Sequence, residues 1–419
     1  MRIAMLTWEY PPRIVGGLAM HVYDLSTTLA RGGIDVTVIT VNDQGVTERE
    51  ELDGVKVLRV YPYDLPSRDI VNWAVQLNVA MLEKAIQEIN REGPFHIIHA
   101  HDWLVAHASR ALKHSFQVPL IATIHATEYG RNNGLHNDVQ RDISKIEWWL
   151  TYEAWKVICC SGYMVGELSR VFDLPRDKVV HIPNGVHAAR IRDRRVPADF
   201  KNRFALPYEK IIYYVGRLVR EKGVQVLIDA AFKVLSYEPN AKFIIAGTGP
   251  YENYLRNKAR EIGLGDKMLF TGYINDDDRD MLYLIADVAV FPSLYEPFGI
   301  VVLESMAAGT PVVVSDSGGL AEIVDHEVDG VHAITGSANS LADQLLRVLK
   351  NDLLAKKLRG NGLHKVKALY DWRVIANKTM EVYETVTREN RAGQREAGAM
   401  LWTASRSKKL SHRSKGVIN

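Results

Sequence analysis

The feature that most constrains this chain is an alternation of short β-branched strands with helical stretches, run through twice. The first round contains RIAMLT (2–7), IDVTVITV (34–41), HIIHAH (96–101), PLIATIHA (119–126), KVICCS (156–161) and VVHIPNGV (179–186). The second contains KIIYYVG (210–216), AKFIIAG (241–247), KMLFTGY (267–273), VAVFPS (288–293) and PVVVSDS (311–317). Near-continuous apolar strands separated by helices describe parallel sheets buried on both faces. Two such rounds describe two doubly wound, Rossmann-like domains. Between them ARIRDRRVPADFKNRF has no apolar period and reads as an interdomain linker, so the expected boundaries are 1–187, a linker 188–207, and 208–370.

A length of 419 residues with 47% apolar content is enough for two cores. The formal net charge of +2 lacks the dense positive face of a nucleic-acid partner. Cys159 and Cys160 are adjacent in an apolar run and read as buried small hydrophobes, not as a disulfide or a ligand pair. The start MRIAMLTWEYPP does not resemble a signal peptide, and no stretch approaches the ~20 apolar residues of a membrane helix. The expectation is a cytoplasmic protein acting on small molecules.

The segment 371–388 places Ile375, Thr379, Val382 and Val386 on one helical face, which must dock against something. Residues 389–419 hold seven Lys or Arg against two acids. That composition reads as a disordered basic tail, the one segment with which the chain would meet a membrane.

Two open parallel sheets bind a shared ligand at the carboxyl ends of their strands, in the cleft between them. The first strand leads into TWEYPPRIVGGLAMHV, where Gly16 and Gly17 open a helix whose N–H groups and dipole suit a phosphate. This loop is not GxGxxG and lacks the acidic residue that reads a dinucleotide ribose; GTGPYE (247–252) is also only a partial match. In the second domain, GRLVREKG sets Arg217 and Lys222 in the loop after a buried strand, where two cations can clamp a diphosphate. The most specific signal is FPSLYEPFGIVVLESMAAGTPVV. Glu296 stands before a Phe298, Gly299, Ile300 turn and Glu304 on the helix after it, so the carboxylates can meet sugar and ribose while N–H groups between them face phosphates.

These motifs together resemble those of the retaining family 4 glycosyltransferases and their glycogen and starch synthase relatives, which have the two-domain GT-B fold. The resemblance covers about residues 1–386. It rests on EYPP with GGL, HAHDW (99–103), TIHATE (123–128), IPNGV (182–186), GRLVREKG (216–223), AGTGP (246–250), the Glu296 to Glu304 motif and SGGLAEIV (317–324). It implies an α/β protein of two doubly wound sheets facing across a cleft, with a C-terminal helix crossing back to the first domain. By position, Gly16 and Gly17 would contact the donor diphosphate or the acceptor, His125 the transferred sugar, and Arg217 and Lys222 the diphosphate. Glu296 would bind sugar hydroxyls, Glu304 the ribose, and Glu9, His101 and Asp102 would lie on the acceptor side. The resemblance further implies retention of configuration without a covalent intermediate, no metal and no cofactor. ADP-glucose or UDP-glucose would be the donor and an α-glucan or glucose derivative the acceptor. Here the loop reads IVGGL where bacterial glycogen synthases carry KTGGL, leaving phosphate binding to the N–H groups of the Gly17 helix.

Other features have plainer readings. Asp276, Asp277 and Asp278 precede a helical run and suit a helix N-terminus more than a metal. Trp148, Tyr152 and Trp155 share a helical face and are expected to pack a core. The competing functions are transfer to a lipid, inositol or other small acceptor, a GT-B phosphorylase or epimerase, and a non-catalytic sugar-binding protein.

Overall fold

The computed structural model describes residues 1–42 and 45–413, with side chains as far as 393. The first sheet has eight strands: β1 (Arg2–Leu6), β2 (Asp35–Val41), β3 (Arg49–Leu52), β4 (Val55–Val60), β5 (Ile97–His101), β6 (Leu120–Ile124), β7 (Lys156–Cys159) and β8 (Val179–His181). Their order is β3-β4-β2-β1-β5-β6-β7-β8. The second has six: β9 (Lys210–Val215), β10 (Ala241–Ala246), β11 (Met268–Gly272), β12 (Val288–Phe291), β13 (Val312–Ser315) and β14 (Val331–Ala333), ordered β11-β10-β9-β12-β13-β14.

The central strands are buried end to end, as their continuous apolar runs require: Ile3, Ala4, Met5 and Leu6 of β1 are all wholly inaccessible. Each sheet has one switch point where strand order changes direction, between β1 and β5 in the first and between β9 and β12 in the second. Crevices open at such points because the flanking connections run to opposite faces. The antiparallel β3–β4 pair departs from the all-parallel expectation. Its turn, Asp53-Gly54, has both residues at positive φ (50° and 80°), the backbone that a two-residue hairpin requires and that Asp-Gly supplies.

The helix from Trp372 crosses back to the first domain and buries Ile375, Thr379, Val382 and Val386, the face expected from the sequence. Tyr383 Oη meets His99 Nδ1 at 2.7 Å. Trp372, 1% exposed, lies over Gly185 of the IPNGV motif, where a Cβ would stand 2.7 Å from the indole. Gly185→Ala is therefore expected to lift this helix and destabilise the fold by about 1–3 kcal/mol. Urea unfolding checks this; an unchanged midpoint would show that the indole seat is not structural.

Two expectations are corrected. The tail from residue 389 is not disordered over its described part, since the Trp372 helix runs without a break to Arg413, 42 residues in all; residues 414–419 lie outside the described residues. The Trp148, Tyr152 and Trp155 face does not pack a core. The helix Asp138–Glu153 turns Ile143, Glu147, Leu150 and Thr151 inward and leaves Trp148 and Tyr152 46% and 64% exposed, while Trp155 lies beyond the helix end and is 38% exposed. The stretch read as a linker holds a short helix, Ala188–Arg192, and a tight turn, Phe200–Arg203, each anchored by a buried side chain, Ile191 and Phe200. The three aspartates do form a helix N-terminus, capped by Asn275, with Asp277 and Asp278 paired to Arg194 and Arg203. Cys159 and Cys160 are free and buried. No described helix is long and apolar enough to cross a membrane.

Candidate active site

The two switch points face one another across a cavity of about 360 Å³. From the first domain it is lined by Trp8 and Glu9 beyond β1, the Val15–Leu18 loop, Asp102 beyond β5, His125 and Ala126 beyond β6, Arg131 and Asn184. From the second come Arg217, Glu221 and Lys222 beyond β9, and Ser293, Tyr295 and Glu296 through Val301 beyond β12. The strand ends thus deliver the residues picked out by the sequence motifs to one place.

On the second-domain wall, the chain must double back tightly after β9. Gly223 has φ +71°, and a Cβ there would stand 1.8 Å from the Pro292 carbonyl oxygen, so only glycine lets this loop lie on the exit of β12. The close approach sets Lys222 Nζ 2.6 Å from Glu296 Oε2, which also accepts from Ser293 Oγ at 3.2 Å. Arg217 is half exposed toward the cavity, 4.0 Å from Glu221. Gly318 and Gly319 of the SGGLAEIV motif pack against the other side of the Glu296 loop, and Gly319 N–H donates to the Glu296 carbonyl at 2.9 Å. Gly299, φ +108°, precedes the helix Ile300–Ala308, whose N-terminus opens on the cavity.

On the first-domain wall, Asp102 sits at φ 61°, strained for a non-glycine residue. From there Oδ1 accepts the His125 N–H at 2.8 Å, with Arg131 at 3.9 Å. Burial pushes the Asp102 carboxyl up to about 6 against the pull of Arg131 and that N–H. Burial, and then Arg131, pushes His125 down to about 3, so its imidazole is neutral at pH 7. Burial likewise raises Glu9 to about 7, although its Oε2 accepts N–H bonds from Val15 at 2.6 Å and Gly16 at 3.0 Å.

Two expected site residues do not line the cavity. His101 is wholly buried behind His125, its Nδ1 3.3 Å from His125 Nε2, with the His99 ring tilted against it at 4.2 Å. Glu304 lies one turn beyond Ile300, where Tyr283 Oη donates to it at 3.2 Å and Arg279 stands 3.9 Å away; burial raises its pKa. Among the described residues, one ring nitrogen each of His21, His101 and His125 lie within 4.8 Å of one another, the one group of three close enough to share an ion. Burial holds all three well below the usual imidazole range.

Sequence reasoning missed the clasp that holds the walls together. Tyr295 Oη donates to Glu167 at 3.0 Å, Ser161 Oγ to the Pro297 carbonyl at 2.6 Å, and Gly162 N–H to Glu322 at 2.7 Å. Each pair joins residues more than a hundred positions apart; Tyr295, Pro297 and Glu322 lie within the quoted motifs, but nothing local says which residue of the other domain each one meets.

Comparison with known proteins agrees with this arrangement. The model for group 1 glycosyl transferases matches residues 198–365, and that for glycosyltransferase family 4 matches residues 15–190. An uncharacterized glycosyltransferase of Methanocaldococcus jannaschii is 40% identical over 390 residues, 92% of this chain and 98% of its own. The glycogen synthase of Mycobacterium tuberculosis is 34% identical over 413 residues, 94% of this chain and 97% of its own. Among solved structures, sucrose-phosphate synthase from Thermosynechococcus elongatus superposes with a TM-score of 0.81 at 26% identity, covering 93% of this chain and all of that one. Fold, facing switch points and sequence relatives coincide: the chain belongs to the family 4, group 1 glycosyltransferases of the GT-B fold.

Proposed function

We propose that the protein is a retaining hexosyltransferase that moves a glucosyl group from ADP-glucose or UDP-glucose to an α-glucan or a glucose derivative. The observation that carries the reading is the single cavity in which the Gly16–Gly17 loop of one domain meets Arg217, Lys222 and Glu296 of the other. Cations stand where a diphosphate would leave, each charge-assisted bond contributing on the order of 1.5–3 kcal/mol. The bond from the anomeric carbon to the diphosphate breaks, the acceptor oxygen joins the same face, and the acceptor's proton passes to the departing diphosphate. Such a step asks the protein for alignment and for charge at the leaving group, and for no carboxylate nucleophile. A neutral His125 suits it, because an imidazolium would oppose the positive charge that develops on the sugar. The glucan acceptor is supported by the similarity to a glycogen synthase.

A second reading keeps the donor site and takes a small phosphorylated acceptor. Arg131 in the acceptor-side wall favours it, as does likeness to a sucrose-phosphate synthase. Incubation with labelled ADP-, UDP- and GDP-glucose, each with glycogen, maltose, glucose 1-phosphate or an inositol phosphate, separates the two. Transfer to glycogen or maltose is expected, and undiminished activity in excess chelator. Transfer only to glucose 1-phosphate or the inositol phosphate, with none to glycogen or maltose, would favour the phosphorylated acceptor, and transfer to the inositol phosphate alone would overturn the glucose-acceptor reading. Strict dependence on a divalent ion would turn attention to the His21, His101 and His125 cluster.

A further inference from the structure

The Gly17 helix begins without the usual device for satisfying its first N–H groups: Gly16 has no side chain to cap it, and no acid stands in its first turn. The carboxylate that serves the preceding loop comes from Glu9, which reaches across from the end of β1 to the N–H groups of Val15 and Gly16 at 2.6 and 3.0 Å. Glu9 is 3% exposed, and its carboxyl is raised to about 7 by burial, with Asp102 adding to the rise. Burial makes charge on this carboxylate costly, and the two N–H donors offset part of that cost. Those donors are in the loop expected to meet the donor's phosphates. Gly16 also stands in the open, with nothing within 4 Å of where its Cβ would be, so a second oxyanion can reach it from the cavity.

We infer that Glu9 is an internal stand-in for substrate phosphate: it occupies the Val15–Gly16 cradle, and a phosphoryl group gains those N–H groups by displacing it. This rests on the cavity being the sugar-nucleotide site, and it adds a specificity device. A lone phosphate must evict a tethered carboxylate for two N–H bonds. A diphosphate that also engages Arg217 and Lys222 has the further interactions that make eviction favourable. Glu9 is thus a positioning residue that screens out simple oxyanions.

The test is calorimetric titration of wild type and Glu9→Gln with inorganic pyrophosphate, ADP, UDP and glucose 1-phosphate. Glutamine fits the space but competes as a neutral acceptor, so pyrophosphate should bind Glu9→Gln at least about tenfold tighter than wild type. With pyrophosphate tightened, a matching gain for ADP or UDP assigns the cradle to the donor; a matching gain for glucose 1-phosphate but for neither nucleotide assigns it to the acceptor. Pyrophosphate affinity that is unchanged, weaker or undetectable in both proteins would overturn the inference, even if wild type transfers glucose from a sugar nucleotide. Absent turnover with a tightened pyrophosphate site would instead leave the inference standing and sink the transferase reading. Should Glu9→Gln fail to fold, a crystal structure of wild type with a nucleoside diphosphate decides. A phosphoryl oxygen on Val15 and Gly16 N–H with Glu9 swung away supports the displacement, and Glu9 still in place refutes it.

Discussion

Lys222→Ala is expected to reduce kcat/KM for sugar transfer by about 10²–10³-fold, the usual loss when one preorganised charge at a leaving group is removed. Lys222 sits in a turn that closes only because of Gly223, and its ammonium is held 2.6 Å from Glu296. The charge therefore stands in place before substrate arrives, which is the condition for it to act without reorganisation. The substitution also strands Glu296, now a carboxylate in the cleft without its cation, repelling the incoming diphosphate. Arg217→Ala should cost transfer too, though the half-exposed guanidinium is less preorganised. Steady-state kinetics on variants with wild-type circular dichroism provide the check. Turnover within threefold of wild type in Lys222→Ala would remove the residue from the mechanism.

Glu296→Gln should lower turnover far more than Glu304→Gln. Glu296 lines the cavity and holds Lys222, so a neutral amide loses both the contact to sugar hydroxyls and the anchor of a cation, a loss concentrated in the transition state. Glu304 stands off the cavity against Tyr283 and Arg279, and a glutamine there keeps an acceptor for the Tyr283 hydroxyl. Its substitution should appear chiefly as a higher KM for the donor. The comparison of kcat across the two variants is the measurement. A larger fall in kcat for Glu304→Gln would exchange the roles of the two carboxylates.

Much of this was legible in the chain because the relevant signals are local. A buried parallel strand announces itself in four or five consecutive apolar residues, and its carboxyl end then says where to look, which is how Gly16, Arg217, Lys222 and Glu296 were found together. What was lost was either long-range or a matter of which way a face turns. Trp148 and Tyr152 do share a helical face, with Trp155 beyond the helix end, but periodicity names a face without saying whether it looks in or out; Ile143 and Leu150 take the inward side. The β3–β4 hairpin had a signal, Asp53-Gly54, that the search for parallel strands passed over. His101 and Glu304 were placed in the right neighbourhood, yet depth within a wall is set by packing. The Glu9 bonds to Val15 and Gly16, short-range as they are, depend on how the loop folds back on itself.

The chain passes between the domains twice, once after Val186 and again before Trp372, and the two passages touch: Val186 N–H donates to the Tyr370 carbonyl at 2.8 Å, and Val186 bridges Asp371. A single covalent tether would let one body swivel against the other in every direction. Two tethers fastened side by side act as a pair of pins on one edge, and what survives is chiefly a swing about the line through them. Any opening of the cleft would follow that one arc, and the clasp residues Tyr295 and Glu167, Ser161 and Pro297, would part and rejoin along the same track, returning each to its own partner without a search.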